Sequence, residues 1–225
     1  MSFIVAIDGP AGTGKGTMAD LLSKKYGFTN IDTGATYRCV ALEMLNQKVD
    51  LSNEVEVAKI AKNIKIDMQT IDGNLEVYLN GVNVSKEIRS PEVAKVVSPV
   101  SSIKEVRSEM VNIQRKLAEG KNVIMEGRDI TTVVFPNADV KIYLDGALEE
   151  RAMRRYRQNK AKGIEMSYEE VLENIKKRDK NDMEKEVGAL KIADDAIVID
   201  TTNLTISEQE AKMSEIIDKA LASKK

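Results

Sequence analysis

The chain has 225 residues, of which 42 % are hydrophobic and 31 % charged, a composition typical of a globular protein with a substantial core. Its 34 basic and 36 acidic residues leave a net charge of −2, which argues against a general nucleic-acid binder. The sequence contains no histidine, and this excludes a Ser-His-Asp triad and every histidine-dependent zinc site.

The cysteine count, the length of the apolar runs and the first residues indicate the cellular setting. Cys39 is the only cysteine, so an intrachain disulfide is excluded and a reducing, cytoplasmic setting is indicated. No apolar run approaches the roughly 20 residues that a membrane span needs. The first five residues, Met-Ser-Phe-Ile-Val, lack the features of a signal peptide. The sequence therefore predicts a cytoplasmic protein with no membrane partner.

The strongest local motif lies at the N-terminus, where an apolar run over residues 3–8 leads into a glycine-dense turn. That turn consists of Gly9, Pro10, Ala11, Gly12, Thr13, Gly14, Lys15, Gly16 and Thr17. A strand, a glycine turn, a lysine, a hydroxyl residue and a helix form the pattern of a phosphate-binding P-loop. Lys15 is predicted to reach the β- and γ-phosphates, and Thr17 to hold Mg²⁺. The alternative is a glycine-rich strand-to-helix turn without a ligand.

Further apolar runs predict four more strands, at residues 28–32, 122–126, 140–144 and 196–200. Helical patterns separate them, which indicates an α/β fold with a mostly parallel sheet. The carboxyl ends of parallel strands open on the ligand crevice. We therefore expect the residues that follow two of these strands to lie beside the P-loop: Asp32, Thr33, Tyr37, Arg38, Glu126, Gly127, Arg128 and Asp129. On position alone, the alternative is that Tyr37 packs and Arg38 is solvated.

Residues 63–86 have a different sequence pattern, in which short runs of alternating apolar and polar residues are separated by Asp-Gly and Asn-Gly. These dipeptides are the strongest short signals for hairpins. We predict a small antiparallel sheet inserted into the α/β chain. An edge hairpin of the main sheet is the alternative.

Helix ends are marked by prolines and by capping residues. Ser90-Pro91 should open a helix that Ser98-Pro99 interrupts, and a long helix is predicted over residues 100–119. A basic helix is predicted over residues 147–162. Two capping boxes should open the last two helices, at Ser167-x-x-Glu170 and Ser207-x-x-Glu210.

Four motifs together resemble the cytidylate kinases of the bacterial type, within the nucleoside-monophosphate kinases. They are Gly-Pro-x-Gly-x-Gly-Lys-Gly-Thr at 9–17, Asp-Thr-Gly-Ala-x-Tyr-Arg at 32–38, Gly-Arg-Asp at 127–129 with Thr-Val-Val-Phe-Pro at 132–136, and Lys-Arg-Asp at 177–179 with Asp182. The resemblance covers nearly the whole chain. It implies transfer of the γ-phosphoryl group of ATP, with Mg²⁺, to CMP or dCMP.

The same resemblance implies a P-loop NTPase-type three-layer fold with a five-stranded parallel sheet, a small antiparallel insertion and a helical lid. We expect a kinase core over residues 1–62 and 87–225, with the lid at about 147–166 and the insertion at 63–86. The expected partners are ATP and CMP or dCMP, without nucleic acid, and the expected state is a monomer.

Roles for single residues are carried over from the family motifs. Lys15 and Arg128 are expected to be catalytic, together with Arg154 and Arg155, which resemble lid arginines that close over the phosphates. Arg38 and Arg128 resemble the arginines that grip the monophosphate. On the residues alone, the alternative for Arg154 and Arg155 is a solvated helix face.

The acceptor nucleotide is expected to be recognised by a second set. Ser98, Arg107 and Asp129 match the residues that recognise cytosine, whose exocyclic amine can donate to a carboxylate. Arg178 and Asp182 match residues that contact the sugar and support phosphate binding. An exposed helix position for Arg107 and salt bridges for Asp179 and Asp182 are the alternatives. Between a functional role and a salt bridge, the assignment of Asp179 stays open.

Thr33 and Tyr37 should line the entrance of the monophosphate site, and two positions depart from the family pattern. Lys185 stands where many relatives carry arginine, and a lysine cannot fork onto a phosphate. It is counted among the substrate-binding residues. Ala11 stands where relatives often have serine, so a side-chain contact from that position is absent.

Three rival functions stay open on the sequence. One is a P-loop kinase for another acceptor, such as UMP, AMP or shikimate. Another is a nucleotide-dependent switch, which would need an Asn-Lys-x-Asp motif; residues 159–162 read Asn-Lys-Ala-Lys and lack the aspartate. The third is nucleic-acid binding by the basic helix, which the net charge and the 4 % aromatic content disfavour.

Overall fold

The computed structural model describes residues 2–224. Its strands are β1 (Ile4–Asp8), β2 (Thr29–Asp32), β3 (Ile66–Ile71), β4 (Asn74–Leu79), β5 (Val82–Asn83), β6 (Val123–Glu126), β7 (Val140–Asp145) and β8 (Ile197–Asp200). Five of them form one parallel sheet in the order β2–β6–β1–β7–β8. The α/β class and the five-stranded parallel sheet predicted from the sequence are confirmed.

Eight α-helices connect and flank these strands within the described residues. They are α1 (Lys15–Tyr26), α2 (Thr33–Gln47), α3 (Glu54–Asn63), α4 (Pro91–Val100), α5 (Lys104–Ala118), α6 (Leu148–Ala161), α7 (Tyr168–Glu184) and α8 (Ile206–Ser223). A 3₁₀ turn lies at Glu87–Arg89 and a π-type turn at Ile130–Val134. None of the helices in residues 2–224 has the length and apolar character of a membrane span.

Alternation along the central strands divides the core into two layers. In β1, Ala6 packs into a cluster with α2, α3 and α5, whereas Val5 and Ile7 pack into a cluster with α1 and α8. Successive side chains of a strand point to opposite faces, so a strand that is apolar at every position is covered on both sides. The result is a sheet between two helical layers, which is the predicted three-layer fold.

The predicted antiparallel insertion is confirmed as a three-stranded sheet, β3–β4–β5. Positive φ angles at Asp72 and Gly73 and at Asn80 and Gly81 make its two hairpin turns. Met68 and Val77 are buried in the same cluster as Val57 of α3. The division of the chain into a kinase core, a lid and an insertion stays a prediction.

The predicted interruption at Ser98-Pro99 is wrong, because α4 continues through Pro99 and ends at Val100. Proline in the last turn removes a single backbone hydrogen bond, and Ser101 N then bonds to Val97 O at 2.9 Å and closes the helix. The long helix consequently begins at Lys104 and not at residue 100.

The capping box of the last helix is also displaced from its predicted place. Thr205 Oγ1 accepts from Glu208 N at 3.3 Å, and Glu208 Oε2 accepts from Thr205 N at 2.8 Å, so Ser207 lies inside α8. Both Thr205-x-x-Glu208 and Ser207-x-x-Glu210 fit the pattern, and the chain uses the first. The box at Ser167 and Glu170 is confirmed.

Candidate active site

The glycine turn crosses the carboxyl end of the sheet between β1 and α1. Gly9 has φ +148° and lies against the backbone of Leu144 in β7, so a side chain at this position would collide with the Leu144 carbonyl. The loop therefore stays close to the sheet and enters α1 at Lys15, where the first backbone N–H groups of the helix are free to meet an anion.

Lys15 is buried beneath this loop. Its Nζ donates to Pro10 O at 2.7 Å and to Thr13 Oγ1 at 3.3 Å. Burial lowers the pKa of Lys15 to about 7, with a further contribution from the positive charge of Arg128. A phosphate in the loop would favour the charged form again. Lys15 thus lies at the junction of the glycine loop and α1, and its role at the phosphates stays a prediction.

Asp8, at the end of β1, is a site residue that the sequence analysis did not single out. Its carboxylate accepts from Ile130 N at 2.9 Å, from Thr131 N at 2.7 Å and from Thr131 Oγ1 at 2.7 Å. These bonds tie the π-type turn after Asp129 to the strand that leads into the P-loop. The only sequence signal was an acidic residue that ends an apolar strand.

Asp182 is the shared partner of two predicted site cations. It accepts from Arg128 Nε at 2.8 Å and from Lys185 Nζ at 3.0 Å. Burial alone would raise the pKa of Asp182, but the charges of Arg128 and Lys185 outweigh burial and hold it below its usual value. The structure brings these three predicted residues together.

Positive charge accumulates around Arg128. Its charge is the main cause that lowers the pKa of Arg178 to about 10. Partial desolvation lowers the pKa of Arg155, and Arg38 contributes to that shift. Cations that disfavour one another's charge without a ligand are stabilised by a polyanion such as a nucleotide phosphate. The predicted Arg38, Arg128, Arg155 and Arg178 therefore share one electrostatic environment.

Arg107 and Asp129 form a buried ion pair beside this cluster. Arg107 also donates to Ser101 O at 2.9 Å, and its guanidinium carbon lies 5.3 Å from the centre of the Tyr37 ring. Gly188 lies directly against the pair and leaves no room there for a side chain. The exposed position considered for Arg107 is wrong, because the side chain is buried.

Two buried polar atoms beside this pair, Tyr37 Oη and Arg107 Nε, make no hydrogen bond to the residues that the structure describes. Unpaired buried polar groups are costly, and a polar ligand that reached them would satisfy them. Ser98 approaches the pair only through Ser101, whose hydroxyl donates to Ser98 O at 3.0 Å. Ser101 also accepts from Lys185 Nζ at 3.2 Å, a contact that the sequence analysis missed.

The two arginines predicted for the lid point to different places. Arg154 donates to Thr201 Oγ1 at 3.1 Å and to Thr202 O at 3.3 Å, on the segment after β8. Arg155, on the same helix, is exposed. It lies near enough to Arg38 for the charge of Arg38 to lower the pKa of Arg155. A role for both at the phosphates stays a prediction.

Oxygen ligands surround the start of α1. Thr17 is exposed in its first turn, and Glu126 Oε1 lies 3.5 Å from the place where a Cβ on Gly16 would sit. Burial raises the pKa of Glu126, and the charge of Asp32 raises it further. Mg²⁺ is typically bound by one or two carboxylates, water and substrate phosphates, so these residues fit a magnesium ion that arrives with a nucleotide.

Thr33 connects the two predicted motifs on neighbouring strands. Its hydroxyl donates to Glu126 O at 2.8 Å, while Asp32 caps α2 by accepting from Ala35 N at 3.0 Å. Arg38 lies 3.7 Å from Asp32. The carboxyl ends of β2 and β6 therefore meet beside the P-loop, as the topology predicted.

A parallel sheet with a glycine loop, a buried lysine and a helix after its central strand defines the class of P-loop phosphotransferases. The family model for cytidylate kinase matches residues 5–219. A cytidylate kinase of Fusobacterium nucleatum is 50 % identical over 97 % of this chain and 98 % of its own length. One from Caldicellulosiruptor saccharolyticus is 49 % identical over 96 % of each chain. The chain belongs to the cytidylate kinase family.

A solved structure with a similar fold is that of an uncharacterized protein from Eubacterium ventriosum. It covers 97 % of this chain and 99 % of its own, with a TM-score of 0.54 and 13 % sequence identity. At that identity the likeness concerns the fold alone.

Proposed function

We propose that this protein transfers the γ-phosphoryl group of ATP to CMP or dCMP, giving ADP and CDP or dCDP. The observation that carries the proposal is that a buried P-loop lysine, a cluster of arginines and a buried Arg107–Asp129 pair are neighbours in the structure. This series of groups offers, in order, sites for a triphosphate, a monophosphate and a hydrogen-bonding base. Membership in the cytidylate kinase family supports the same activity.

In this proposal the P-loop, Gly9 to Thr17, holds the ATP phosphates and Lys15 neutralises the transferred group. The acceptor phosphate is anionic near neutral pH, so positioning and charge stabilisation matter more than proton removal. Arg38 and Arg128 grip that phosphate, and Arg178 supports them. The forked guanidinium groups suit bidentate binding of phosphate oxygens.

Asp129 and Arg107 read the base. Cytosine presents an amine that a carboxylate accepts from, whereas uracil presents a carbonyl that a carboxylate repels. The wrong base would leave buried groups unpaired, which is the most effective way for a site to reject an analogue. The Tyr37 ring, 5.3 Å from the guanidinium carbon of Arg107, would line the same base site.

Magnesium, oligomeric state and location complete the proposal. Thr17, with Glu126 nearby, would hold Mg²⁺, which neutralises phosphate charge when it is bound. We further propose that the protein works as a monomer in the cytoplasm. The single cysteine, Cys39, is buried, which suits a reducing compartment.

An assay of ADP formation from ATP and Mg²⁺, with CMP, dCMP, UMP and AMP as separate acceptors, tests the function. We expect CMP and dCMP to be the preferred acceptors and chelation of Mg²⁺ to abolish turnover. Equal rates with all four would refute recognition of cytosine. No turnover with CMP or dCMP would refute the proposed function.

A further inference from the structure

Arg151 and Asp179 form a buried ion pair between α6 and α7, outside the groups assigned above to the nucleotides. Both residues contact the phosphate loop at Ala11. Asp179 Oδ1 accepts from Ala11 N at 3.0 Å, and Arg151 Nη1 donates to Ala11 O at 2.9 Å. The pair therefore satisfies both backbone polar groups of a single P-loop residue.

Apolar contacts also join the phosphate loop to α6 and α7. Ala11 is buried in a small cluster with Ala152 of α6 and Val171 and Ile175 of α7, separate from the two main core clusters. Gly12 lies against the backbone of Arg151, where a Cβ would approach the Arg151 carbonyl oxygen to 3.0 Å. The base of the α6–α7 hairpin is thus built directly onto the phosphate loop.

Arg151 is also fixed from its other side. Its Nε donates to Gly146 O at 2.8 Å, in the turn that follows β7. A guanidinium group that is bound at three points has little freedom to rotate, and this rigidity is a property that lysine cannot reproduce. The single side chain of Arg151 therefore fixes the relative positions of the P-loop, the turn after β7 and α7.

Asp179 follows Arg178 directly and precedes Asp182 by three residues on α7. The helix that holds the Ala11 N–H therefore also carries the side chains near the acceptor site. P-loops act by aiming backbone N–H groups at phosphate oxygens, so a small rotation of the Ala11 peptides would misdirect them.

We propose that Arg151 and Asp179 are positioning residues, which hold the Ala11 backbone and thereby set the P-loop relative to α7. This inference rests on the proposed function for its kinetic consequences, but its binding consequences stand alone. The competing explanation is a pair that only stabilises the fold. In that case, removing the pair would lower the melting temperature but would not change the affinity for ADP relative to the affinity for CMP.

The test compares Arg151→Gln, Asp179→Asn and the double variant by calorimetric titration with ADP and with CMP, and by steady-state kinetics. We expect the Kd for ADP and the KM for ATP to rise at least about tenfold, as misplaced binding groups cause. The Kd for CMP should change less than about threefold, because Arg107 and Arg128 keep their own partners. The double variant should be no worse than the more affected single variant.

Two further variants separate positioning from folding. Arg151→Lys keeps the charge opposite Asp179 but loses the fork, so it should restore part of the ADP affinity. Lys141→Gln removes another largely buried ion-pair cation, whose partner is Asp195 at 2.7 Å. It should lower the melting temperature without changing the Kd for ADP.

The proposal is overturned if the Arg151 and Asp179 variants melt earlier yet bind ADP as the wild type does. It is also overturned if the affinities for ADP and CMP fall equally. If the variants lose ADP affinity as expected but the wild type does not phosphorylate CMP, the proposed function is refuted while this inference is supported.

Discussion

Lys15 combines burial, a lowered pKa and hydrogen bonds to its own loop. Among the described residues, the Lys15 ammonium group donates to a carbonyl and a hydroxyl, while the carboxylates of Glu126 and Asp8 act on it without an ion-pair contact. A nucleotide phosphate would give it a direct counter-charge. This arrangement separates the functional value of Lys15 from its contribution to stability. Removing the ammonium group should harm turnover while leaving the fold intact.

We expect Lys15→Met to lower kcat for CMP phosphorylation by roughly 10²- to 10³-fold, the usual cost of losing one transition-state donor. The melting temperature should not fall, because an apolar chain of similar length replaces a buried cation. Lys24→Met, on the exposed face of the same helix, serves as the control and should keep wild-type turnover. Near-normal turnover in Lys15→Met would contradict the assigned role.

Asp129 is the residue on which base selection depends in the proposed function. We expect Asp129→Asn to reduce the preference for CMP over UMP, expressed as a ratio of kcat/KM values, by roughly 5- to 150-fold. The asparagine amide can donate to the uracil carbonyl that the carboxylate repels. An unchanged ratio would show that the base is read elsewhere.

The same substitution leaves Arg107 buried without its counter-charge, and breaking such a pair costs about 3–5 kcal/mol. The kinetics of Asp129→Asn should therefore be measured well below its melting temperature. Glu215→Gln breaks an exposed pair with Lys219 on α8 and provides the control. It should leave both the ratio and the melting temperature near their wild-type values.

Among the elements, the small sheet β3–β5 shares the main apolar cluster with α2, α3 and α5. Its inward positions, Met68, Val77 and Leu79, are buried, while Asp67 and Gln69, which flank Met68 on β3, are exposed. An antiparallel sheet with one covered face has this alternation. The insertion therefore contributes to the stability of the core.

Leu79→Ala should lower the free energy of unfolding by about 2–5 kcal/mol, because it leaves a cavity at a buried site. Val82→Ala, at an exposed position of the adjoining strand, should change it by less than about 0.5 kcal/mol. Urea unfolding monitored by circular dichroism gives both values. Equal effects of the two substitutions would mean that the sheet does not pack on the core in solution.

Elements with strong local signals could be predicted from the sequence, and their exact ends could not. The Asp-Gly and Asn-Gly turns dictate positive φ angles, so the meander was predictable. Thr205 and Ser207 both offered a capping box, and only the path of the chain after β8 selects between them. Pro99 shows the same limit, because one lost hydrogen bond is small against the packing of α4.

For the site, residues within motifs could be predicted and residues that act through tertiary contacts could not. Asp8 holds Ile130 and Thr131 across more than 120 residues, and Arg151 reaches Ala11 across 140. Nothing in the local sequence marks such partners, since an acidic strand end and a basic helix position are common. Arg151 was one of several cations on a helix that the sequence predicted to be basic.

For the whole molecule, the net charge of −2 conceals an uneven distribution. Positive charge collects in one region, because Arg38, Arg128, Arg155 and Arg178 affect one another's pKa values or those of their neighbours. Clefts lined by one sign of charge raise the local concentration of the oppositely charged ligand. A slightly acidic protein can therefore attract nucleotides, and its net charge limits general binding to nucleic acid.

Labelling of the Cys39 thiol can measure unfolding of the whole molecule, because Cys39 is the only cysteine and lies in the main core cluster. Burial raises the pKa of this thiol to about 12, so the native protein presents almost no reactive thiolate at pH 8. We expect a thiol-specific reagent to label Cys39 only through unfolding. ADP and CMP at about 100 times their Kd should slow the labelling by roughly 100-fold for each ligand that binds independently.

The raised pKa of Cys39 also has a consequence for stability against pH. The folded state holds the thiol proton more tightly than the unfolded state, whose thiol has a pKa near 9.0. The associated stability is therefore fully present below pH 9 and is lost as the pH rises towards 12. Comparing the pH dependence of unfolding for the wild type and Cys39→Ala isolates this effect from the tyrosines, which titrate in the same range. We expect the wild type to lose more stability than the variant between pH 9 and 11, and parallel curves would show that the thiol is accessible to solvent in the native state.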